Sequence, residues 1–228
     1  MSLSIIIPVA AGEAAWAELL KDLSIIAPPA EIVIAAVEPP PDSLDEQIEQ
    51  SGVRGGVRWI TAAAGRGSQM NAGAEAARNE FLWFLHADSR FTPAAPAALE
   101  ASIREEPGAL HYFHLAFLDD GPSLVRLNAR GAWWRSRLLR LPFGDQGFCL
   151  RRELFFQLGG YDERAAYGED QLLVRRARRS GVALRCTGAT IATSARKYAR
   201  HGWARTTLRH LALTGRMILF PRGAARGL

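Results

Sequence analysis

Cysteine and long apolar runs are both scarce in this chain of 228 residues. The two cysteines, Cys149 and Cys186, lie far apart and lack the close spacing of a zinc site. We therefore expect two reduced thiols in a cytoplasmic protein. The N-terminal stretch has no basic segment, and its apolar run ends at Pro8, which is atypical of a signal peptide. No segment has the uninterrupted apolar length of a membrane-spanning helix.

Three common nucleotide-binding and catalytic signatures are also absent from the sequence. No G-x-G-x-x-G follows the first apolar segment and no G-x-x-x-x-G-K-[ST] occurs, which argues against simple dinucleotide and P-loop sites. The chain has no G-x-S-x-G either, which argues against the nucleophile elbow of an α/β-hydrolase.

Acidic residues are rare in the second half of the chain. Residues 1–121 have 7 Lys and Arg against 17 Asp and Glu, whereas residues 122–228 have 21 against 6, for a formal net charge of +5. A basic half suits a phosphorylated ligand, an anionic membrane surface or nucleic acid, although a solvated face explains any single arginine more simply. We expect no nucleic-acid partner, because the chain has no recognition-helix or RNP pattern.

What the chain does contain is a regular alternation of apolar strands and helical patterns. The first four predicted strands are residues 3–9, 31–37, 57–61 and 81–86. Helical patterns separate them, which predicts a parallel sheet with right-handed crossovers. Ligands bind outside the carboxyl ends of such strands. We expect Pro8, Val9, Ala10, Glu38, Gly65, Arg66, His86 and Asp88 along that one edge.

The second half is more mixed, and we interpret the whole chain as one domain over residues 1–228. The predicted strands there are residues 109–117, 146–150, 182–186 and 190–194, and the predicted helices are residues 93–106, 123–140, 169–180 and 203–219. The last helix combines apolar residues with arginines. It could rest on anionic lipid or pack as an ordinary terminal helix.

Two polar groups stand at predicted strand and helix ends in the first half. Asp88 directly follows a buried strand, where an aspartate can bind a divalent cation that bridges a diphosphate. An Asx turn with Ser89 explains Asp88 equally simply. Arg66 lies between two glycines at a helix start, where its guanidinium and the free N–H groups suit an anion. An ordinary loop capped by Ser68 is the alternative.

Two acidic pairs stand in the second half. Glu169 and Asp170 open a helix, so they can supply a general base, or they can simply complement the helix dipole. Asp145 and Gln146 lie between two glycines, where they form either a tight turn or part of a substrate pocket.

Taken together and in this order, the motifs resemble those of a family 2 glycosyltransferase. They are SIIIPV, GRGSQMNAGAEAA, LWFLHADS, FGDQGFCLRRELFFQLGGYDE and GEDQLLVRRARRSG, over about residues 3–180. The pieces GRGSQMNAGA, FLHADS, GDQGF and TSARKY look like a bacterial branch of small soluble members. The resemblance implies the α/β GT-A fold of nucleotide-diphospho-sugar transferases, with a Rossmann-like, mostly parallel sheet flanked by helices.

The resemblance also implies a role for each motif. Residues 1–92 would be a nucleotide-binding half and residues 93–228 an acceptor-binding half. The donor nucleotide would contact Pro8, Val9, Ala10, Glu38, Gly65, Arg66 and Asn71. The sugar and acceptor would contact His86, Asp145 and Gln146, the diphosphate would contact Arg196 and Lys197, and Mg²⁺ or Mn²⁺ would bind Asp88 and His201. Asp170 would be the general base, with Glu169 beside it.

This sequence departs from the family pattern at two positions. The D-x-D metal motif reads His86-Ala87-Asp88, so one aspartate remains. Glu38 stands where an aspartate is usual after the second strand.

The resemblance implies transfer of a sugar from a nucleotide-diphosphate donor to an acceptor hydroxyl by one inverting displacement, with a divalent metal. A lipid-linked acceptor and peripheral membrane contact are compatible with this function. The alternatives are a nucleotidyltransferase and a non-catalytic sugar-nucleotide or membrane-surface binding module. A nucleotidyltransferase would need a basic, glycine-rich loop after the first strand, but this chain has no cation there, in Ala10-Ala11-Gly12-Glu13.

Overall fold

The computed structural model of the chain describes residues 2–26, 30–165 and 167–219. Its strands are β1 (Leu3–Val9), β2 (Ala30–Ala36), β3 (Gly56–Thr61), β4 (Phe81–Phe84), β5 (Arg90–Phe91), β6 (Leu110–Phe117), β7 (Cys149–Arg151) and β8 (Leu184–Thr193). Its helices are α1 (Trp16–Leu23), α2 (Leu44–Ser51), α3 (Arg66–Ala76), α4 (Ala94–Glu105), α5 (Val125–Leu138), α6 (Arg152–Gln157), α7 (Glu169–Arg179), α8 (Arg196–His201) and α9 (Trp203–Leu219).

The strands form one sheet in the order β3-β2-β1-β4-β7-β6-β8-β5. The first four strands along the chain pair in parallel, as the sequence predicts. The sheet as a whole is mixed, because β7 runs antiparallel to both of its neighbours and β5 runs antiparallel to β8. Its strands come from both halves of the chain.

Apolar residues on both faces explain why β1 is central. All seven residues of the strand are buried, and helices cover the sheet on either side. On one face α1 contributes a buried stripe of Trp16, Leu19, Leu20 and Leu23 at helical spacing. On the other face α3 approaches closely: a Cβ at Gly73 would lie 2.5 Å from the Ile6 side chain. Gly73 therefore sets the distance between α3 and the sheet.

The structure corrects two strand predictions in the second half. The predicted strand over residues 146–150 is shorter, because Gln146 lies in a 3₁₀ turn (Gly144–Gln146) and Gly147 has a left-handed φ of 62°. The predicted strands over residues 182–186 and 190–194 are one strand, β8, whose register against β6 shifts between Tyr112 and His114. The short elements β5, α6 and α8 were not predicted at all.

Both cysteines are free thiols, as expected, with Cys149 buried and Cys186 half-buried. Within the described ranges, the structure has no helix that is both long enough and apolar enough to span a lipid bilayer. The predicted terminal helix agrees with α9 at both ends.

Candidate active site

A cavity of about 650 Å³ opens at the carboxyl edge of the sheet, where the parallel strands end. A smaller cavity of about 190 Å³ lies beside it, and the two share Glu13, Arg66, His86 and Asp88. The predicted site residues that line the larger cavity are Arg66, His86, Asp88, Asp145, Asp170, Arg196, Lys197 and His201. The structure thus brings together residues that are up to 135 positions apart in the sequence.

Asp170 is held rigidly at the start of α7. The N–H of Gly144 donates to Asp170 Oδ2 at 2.6 Å, and the N–H of Gln171 donates to Oδ1 at 2.7 Å. Asp170 is only 7% exposed, yet it lines the cavity. A carboxylate oxygen has more than one acceptor site, so each oxygen can still accept a further hydrogen bond. This arrangement fixes the direction of the carboxylate while leaving it able to take a proton.

Asp145 is the second carboxylate of what we call the acidic lining, which consists of Asp145 and Asp170. It lies in the 3₁₀ turn beside Gly144, and its Oδ1 is buried without a hydrogen-bond partner among the described residues. A buried, unpaired carboxylate oxygen is costly, and Oδ1 is enclosed by protein. The half-buried Asp145 side chain as a whole lines the larger cavity.

Gln146 lies beneath the turn rather than in the cavity wall. Its Oε1 accepts from the N–H of Phe143 at 3.0 Å and from Ser136 Oγ at 2.9 Å, and its Nε2 donates to the carbonyl of Phe113 at 2.8 Å. Gln146 is 1% exposed. These contacts make it a residue that holds the turn carrying Asp145 in place.

Glu169 pairs with Arg66 across the space between α7 and α3. Arg66 Nε donates to Glu169 Oε1, and Arg66 Nη1 lies 3.5 Å from His86 Nε2. Burial opposes the charge on Arg66, but the carboxylates of Glu169 and Asp170 outweigh that effect and raise the pKa of Arg66. The pair keeps Arg66 charged and at the cavity, so Glu169 acts through Arg66.

His86 stands where the family pattern has an aspartate. Burial, together with the charges of Arg66 and Lys197, holds the pKa of His86 well below its ordinary value. The ring is therefore neutral at pH 7. A Cβ placed on Gly144 would lie 3.5 Å from His86 Nε2 and 3.3 Å from Asp170 Oδ2, so the ring and the carboxylate meet at this glycine.

Asp88 lies beyond the end of β4 and contacts β8. Its Oδ1 accepts a hydrogen bond from Thr193 Oγ1 at 3.2 Å. Burial raises the pKa of Asp88, while the Thr193 hydrogen bond and the charge of Lys197 act in the opposite direction. Asp88 is therefore a partly buried acid with the cation Lys197 nearby.

A basic lining, consisting of Arg196, Lys197, Arg200 and His201, comes from α8. Asp120 holds the start of this helix, because Ser194 Oγ and the N–H of Ala195 donate to its two oxygens at 2.5 and 2.7 Å. Arg196 Nε in turn donates to Ser194 Oγ at 2.9 Å. These contacts position exposed cations on a short, anchored helix.

The smaller cavity lies next to the ends of β1 and β2. Pro8 and Ala10 line it, together with Gln69 from α3. Gln69 Nε2 donates to the carbonyls of Val9 and Ala35 at 2.6 and 2.8 Å, which ties α3 to two strand ends. Glu38 Oε2 accepts from the N–H of Gly12 at 3.0 Å, so it lies against the loop after β1.

Two residues expected near the nucleotide have structural roles within the protein. Asn71 Nδ2 donates to the carbonyl of Tyr161 at 2.9 Å and its Oδ1 accepts from the Tyr161 N–H at 2.8 Å, so it fastens the loop before α7. Gly65 precedes α3 with a φ of 125°, a conformation that favours glycine, and so it directs Arg66.

The side chains fit a divalent metal that binds together with a diphosphate. Mg²⁺ is commonly held by one or two carboxylates plus substrate phosphates, and Asp88 offers one such carboxylate. Over residues 2–26, 30–165 and 167–219, no three His, Cys, Asp or Glu side chains lie close enough to hold a metal by themselves. A metal bound by Asp88 or His201 would therefore need further ligands, such as the oxygens of a diphosphate, beyond the described protein side chains.

The sequence did not indicate several residues that line the cavities. They are Glu13, Gln69, Phe143, Tyr167, Thr193, Ser194 and His210. Glu13 is the most informative, because its Oε1 accepts from the N–H of Ala15 at 2.8 Å and lies 3.9 Å from Arg196 Nη2. The only feature of the sequence that could have indicated Glu13 was its position just after the first strand.

No protein-family model matches the chain, and no curated protein matches it in sequence. Solved structures do match its fold. TarS from S. aureus, also crystallised with UDP-GlcNAc, aligns at a TM-score of 0.64 and 19% identity, over 85% of this chain and 37% of that chain. GalNAc-T7 with UDP, GalNAc and Mn²⁺ aligns at 0.63 and 17% identity, over 85% and 43%.

A third match is the mannosyltransferase PcManGT from Pyrobaculum calidifontis, in complex with GDP-Man and Mn²⁺. It aligns at a TM-score of 0.59 and 16% identity, over 88% of this chain and 59% of that chain. This chain thus spans between about a third and three fifths of the length of these proteins. At such low identity the likeness concerns the fold, and it confirms the fold prediction: the chain has the α/β GT-A fold of glycosyltransferases.

Proposed function

We propose that this protein is a glycosyltransferase, which moves a sugar from a nucleoside-diphosphate sugar to an acceptor hydroxyl. The observation that carries the proposal is the composition of the larger cavity. It combines one rigid carboxylate, Asp170, with the cations Arg66, Arg196 and Lys197. A carboxylate can accept the proton of the acceptor, and cations can stabilise a departing diphosphate.

The smaller cavity suits the nucleoside of the donor. It lies where ligands of parallel α/β sheets bind, and Pro8, Ala10 and Gln69 form its wall. The diphosphate would then extend into the larger cavity, toward Arg66 and the basic lining. The structural neighbours crystallised with UDP-GlcNAc, UDP and GDP-Man support a donor of this class.

The proposed reaction is one displacement at the anomeric carbon. Asp170 takes the proton from the acceptor hydroxyl as the oxygen attacks, and the bond between the anomeric carbon and the diphosphate breaks. A single displacement inverts the anomeric configuration. The hydrogen bonds from the N–H groups of Gly144 and Gln171 keep the carboxylate aimed during this step.

The charge on the leaving diphosphate is met by Arg66, Arg196 and Lys197. Asp88 would hold Mg²⁺ or Mn²⁺ together with the diphosphate, and the metal would supply further positive charge to stabilise the leaving group. His86 is neutral at pH 7 because burial and two nearby cations depress its pKa, so it can form a hydrogen bond to the sugar without adding charge. Asp145 lines the same cavity, where its side chain can accept a hydrogen bond from a sugar or acceptor hydroxyl.

A decisive experiment compares Asp170→Asn with the wild type. Donor hydrolysis would be measured for a panel of UDP- and GDP-sugars with Mn²⁺, and UDP affinity would be measured by calorimetry. We expect hydrolysis to fall about 10²–10⁴-fold, the usual contribution of a general base, with UDP affinity within a factor of about three. Glu75→Gln is the matched control, since Glu75 is an exposed carboxylate on α3.

The outcomes separate the proposal from its alternatives. Wild-type turnover in the Asp170→Asn protein would contradict the role of Asp170. Nucleotide binding without turnover on any donor would favour a non-catalytic binding module. Release of pyrophosphate from a nucleoside triphosphate and a sugar phosphate would favour a nucleotidyltransferase.

A further inference from the structure

Helix α5 has an apolar stripe on the face that points away from the protein. Leu127, Trp134 and Leu138 are 49, 56 and 65% exposed. Their spacing of seven and four residues places them on one side of a helix with about 3.6 residues per turn. The opposite side packs inward through Val125 and Ala132, which are buried. An ordinary surface helix would have polar residues on its outer face.

Helix α9 repeats this arrangement. Leu208 and Leu211 are 66 and 62% exposed, while Thr206 on the other side is buried. His210 and Leu213 face the larger cavity. One side of α9 therefore forms part of the candidate active site, and the other presents leucines outward.

The two helices are neighbours. Asn128 of α5 donates through Nδ2 to Thr207 Oγ1 at 3.0 Å, and Trp203 Nε1 of α9 donates to Asn128 Oδ1 at 2.7 Å. These contacts join the two helices near their N-terminal ends, beside the two apolar stripes. We call them together the α5–α9 surface, which consists of Leu127, Trp134, Leu138, Leu208 and Leu211.

Arginines border the α5–α9 surface on both outer flanks. On a helix with about 100° per residue, they lie on the flank away from the contact between the helices. They are Arg126, Arg130 and Arg137 on α5, and Arg205, Arg209 and Arg216 on α9. Neither helix contains an acidic residue, and Arg126 lies 3.9 Å from the exposed Asp119, which precedes α5. The surface is thus an apolar band between two cationic edges.

We propose that the α5–α9 surface binds an anionic lipid bilayer, with both helices lying parallel to it. Tryptophan and leucine enter the boundary between headgroups and acyl chains, while arginines at the edges meet anionic headgroups. Charge complementarity selects this partner over a second copy of the chain. Two copies joined through this surface would bring like-charged arginine edges together.

The position of α9 links this surface to the cavity. Because His210, Leu213 and Thr214 line the cavity from the other side of the same helix, a bilayer on the α5–α9 surface lies close to the opening. This consequence rests on the proposed function, since it implies that the acceptor hydroxyl is carried by a lipid in that bilayer.

Vesicle cosedimentation tests the proposal without any sugar donor. Wild-type protein should bind phosphatidylcholine vesicles that contain about one third phosphatidylglycerol more tightly than pure phosphatidylcholine, and less tightly in high salt. The double variant Trp134→Ser, Leu138→Ser should lose about tenfold or more in binding, because it removes two side chains from the apolar band. Phe156→Ser, an exposed aromatic residue on α6, is the matched control and should bind as the wild type.

Two further measurements complete the test. Sedimentation velocity distinguishes a second copy of the chain: a wild-type dimer that the double variant abolishes, without vesicle binding, would overturn the proposal. Equal binding of both proteins to anionic vesicles would overturn it as well. The Asp170→Asn protein should bind vesicles as the wild type does, so a failure of the membrane proposal is separate from a failure of the catalytic one.

Discussion

The acidic and the basic lining of the larger cavity are built differently. Asp170 is 7% exposed and held by two backbone N–H groups at the start of α7. Arg196 and Lys197 are exposed and lie on a helix of six residues. A general base must be aimed at one proton, whereas charge attraction to a diphosphate tolerates small changes in position. The comparison indicates that the acidic lining acts through geometry and the basic lining through charge.

After the loss of Asp170, the largest expected effect comes from removing charge from the basic lining. In the double variant Arg196→Met, Lys197→Met, the dissociation constant of UDP should rise about 10- to 100-fold, because two cations near the diphosphate are lost. Donor turnover at saturating concentration should fall less than in the Asp170→Asn protein. Calorimetry and steady-state kinetics measure the two effects, with Lys21→Met, an exposed lysine on α1, as the control. Unchanged UDP affinity would rule out this role of the basic lining.

A smaller and opposite pattern should follow from disturbing the geometry of the acidic lining. In Gly144→Ala the new Cβ would lie 3.3 Å from both Cβ and Oδ2 of Asp170, so the carboxylate must shift by a few tenths of an ångström. We expect kcat for donor hydrolysis to fall about tenfold with little change in UDP affinity. Gly108→Ala is the control, because its Cβ would meet no atom within 4 Å. A loss of UDP affinity with unchanged kcat would contradict the division of roles.

The smallest expected effect concerns stability, and it involves a histidine beside the basic lining. Burial, helped by the charges of Lys197, Arg209 and Arg135, lowers the pKa of His210 to about 4. In the unfolded chain His210 binds a proton below about pH 6.5, whereas in the folded protein it does so only near pH 4. Folding stability therefore decreases as the pH falls from about 6.5 to about 4.

The variant His210→Gln removes this contribution, and differential scanning fluorimetry measures it. The decrease in Tm from pH 7 to pH 5 should be about 2–4 °C smaller in the variant than in the wild type. Equal decreases would show that His210 is as readily protonated in the folded as in the unfolded chain.

Regular elements with long apolar patterns were predictable from the sequence. The bounds of β1 and α9 agree with prediction at both ends, and the predicted helix over residues 169–180 differs from α7 by one residue. Each has enough periodic apolar residues to define its buried face by itself. The short elements α6 and α8 were missed, because six residues contain too little pattern. The Asp120 contacts, 74 and 75 positions away in the sequence, fix the start of α8.

For the candidate site, the sequence indicated which segments come together. It did not indicate which side chains of those segments face the cavity. Asp145 and Gln146 are adjacent polar residues in one motif, yet Asp145 lines the cavity and Gln146 is buried beneath it. Asn71 was expected near the nucleotide, and the sequence did not show that its amide group also fastens the loop at Tyr161. Direction in a turn depends on the backbone angles and on the partners below it, which lie in β6 and α5.

The sequence by itself determined the parallel first half of the sheet, because buried strands must be apolar on both faces, and it placed Asp88 at the end of one of them. Only the tertiary structure decided how the second half uses its excess of arginine. Packing turns Arg196 and Lys197 toward the cavity, and it places the arginines of α5 and α9 at the edges of an apolar surface. The physical reason is that a charge takes its role from its neighbours in space, which the order of residues does not specify.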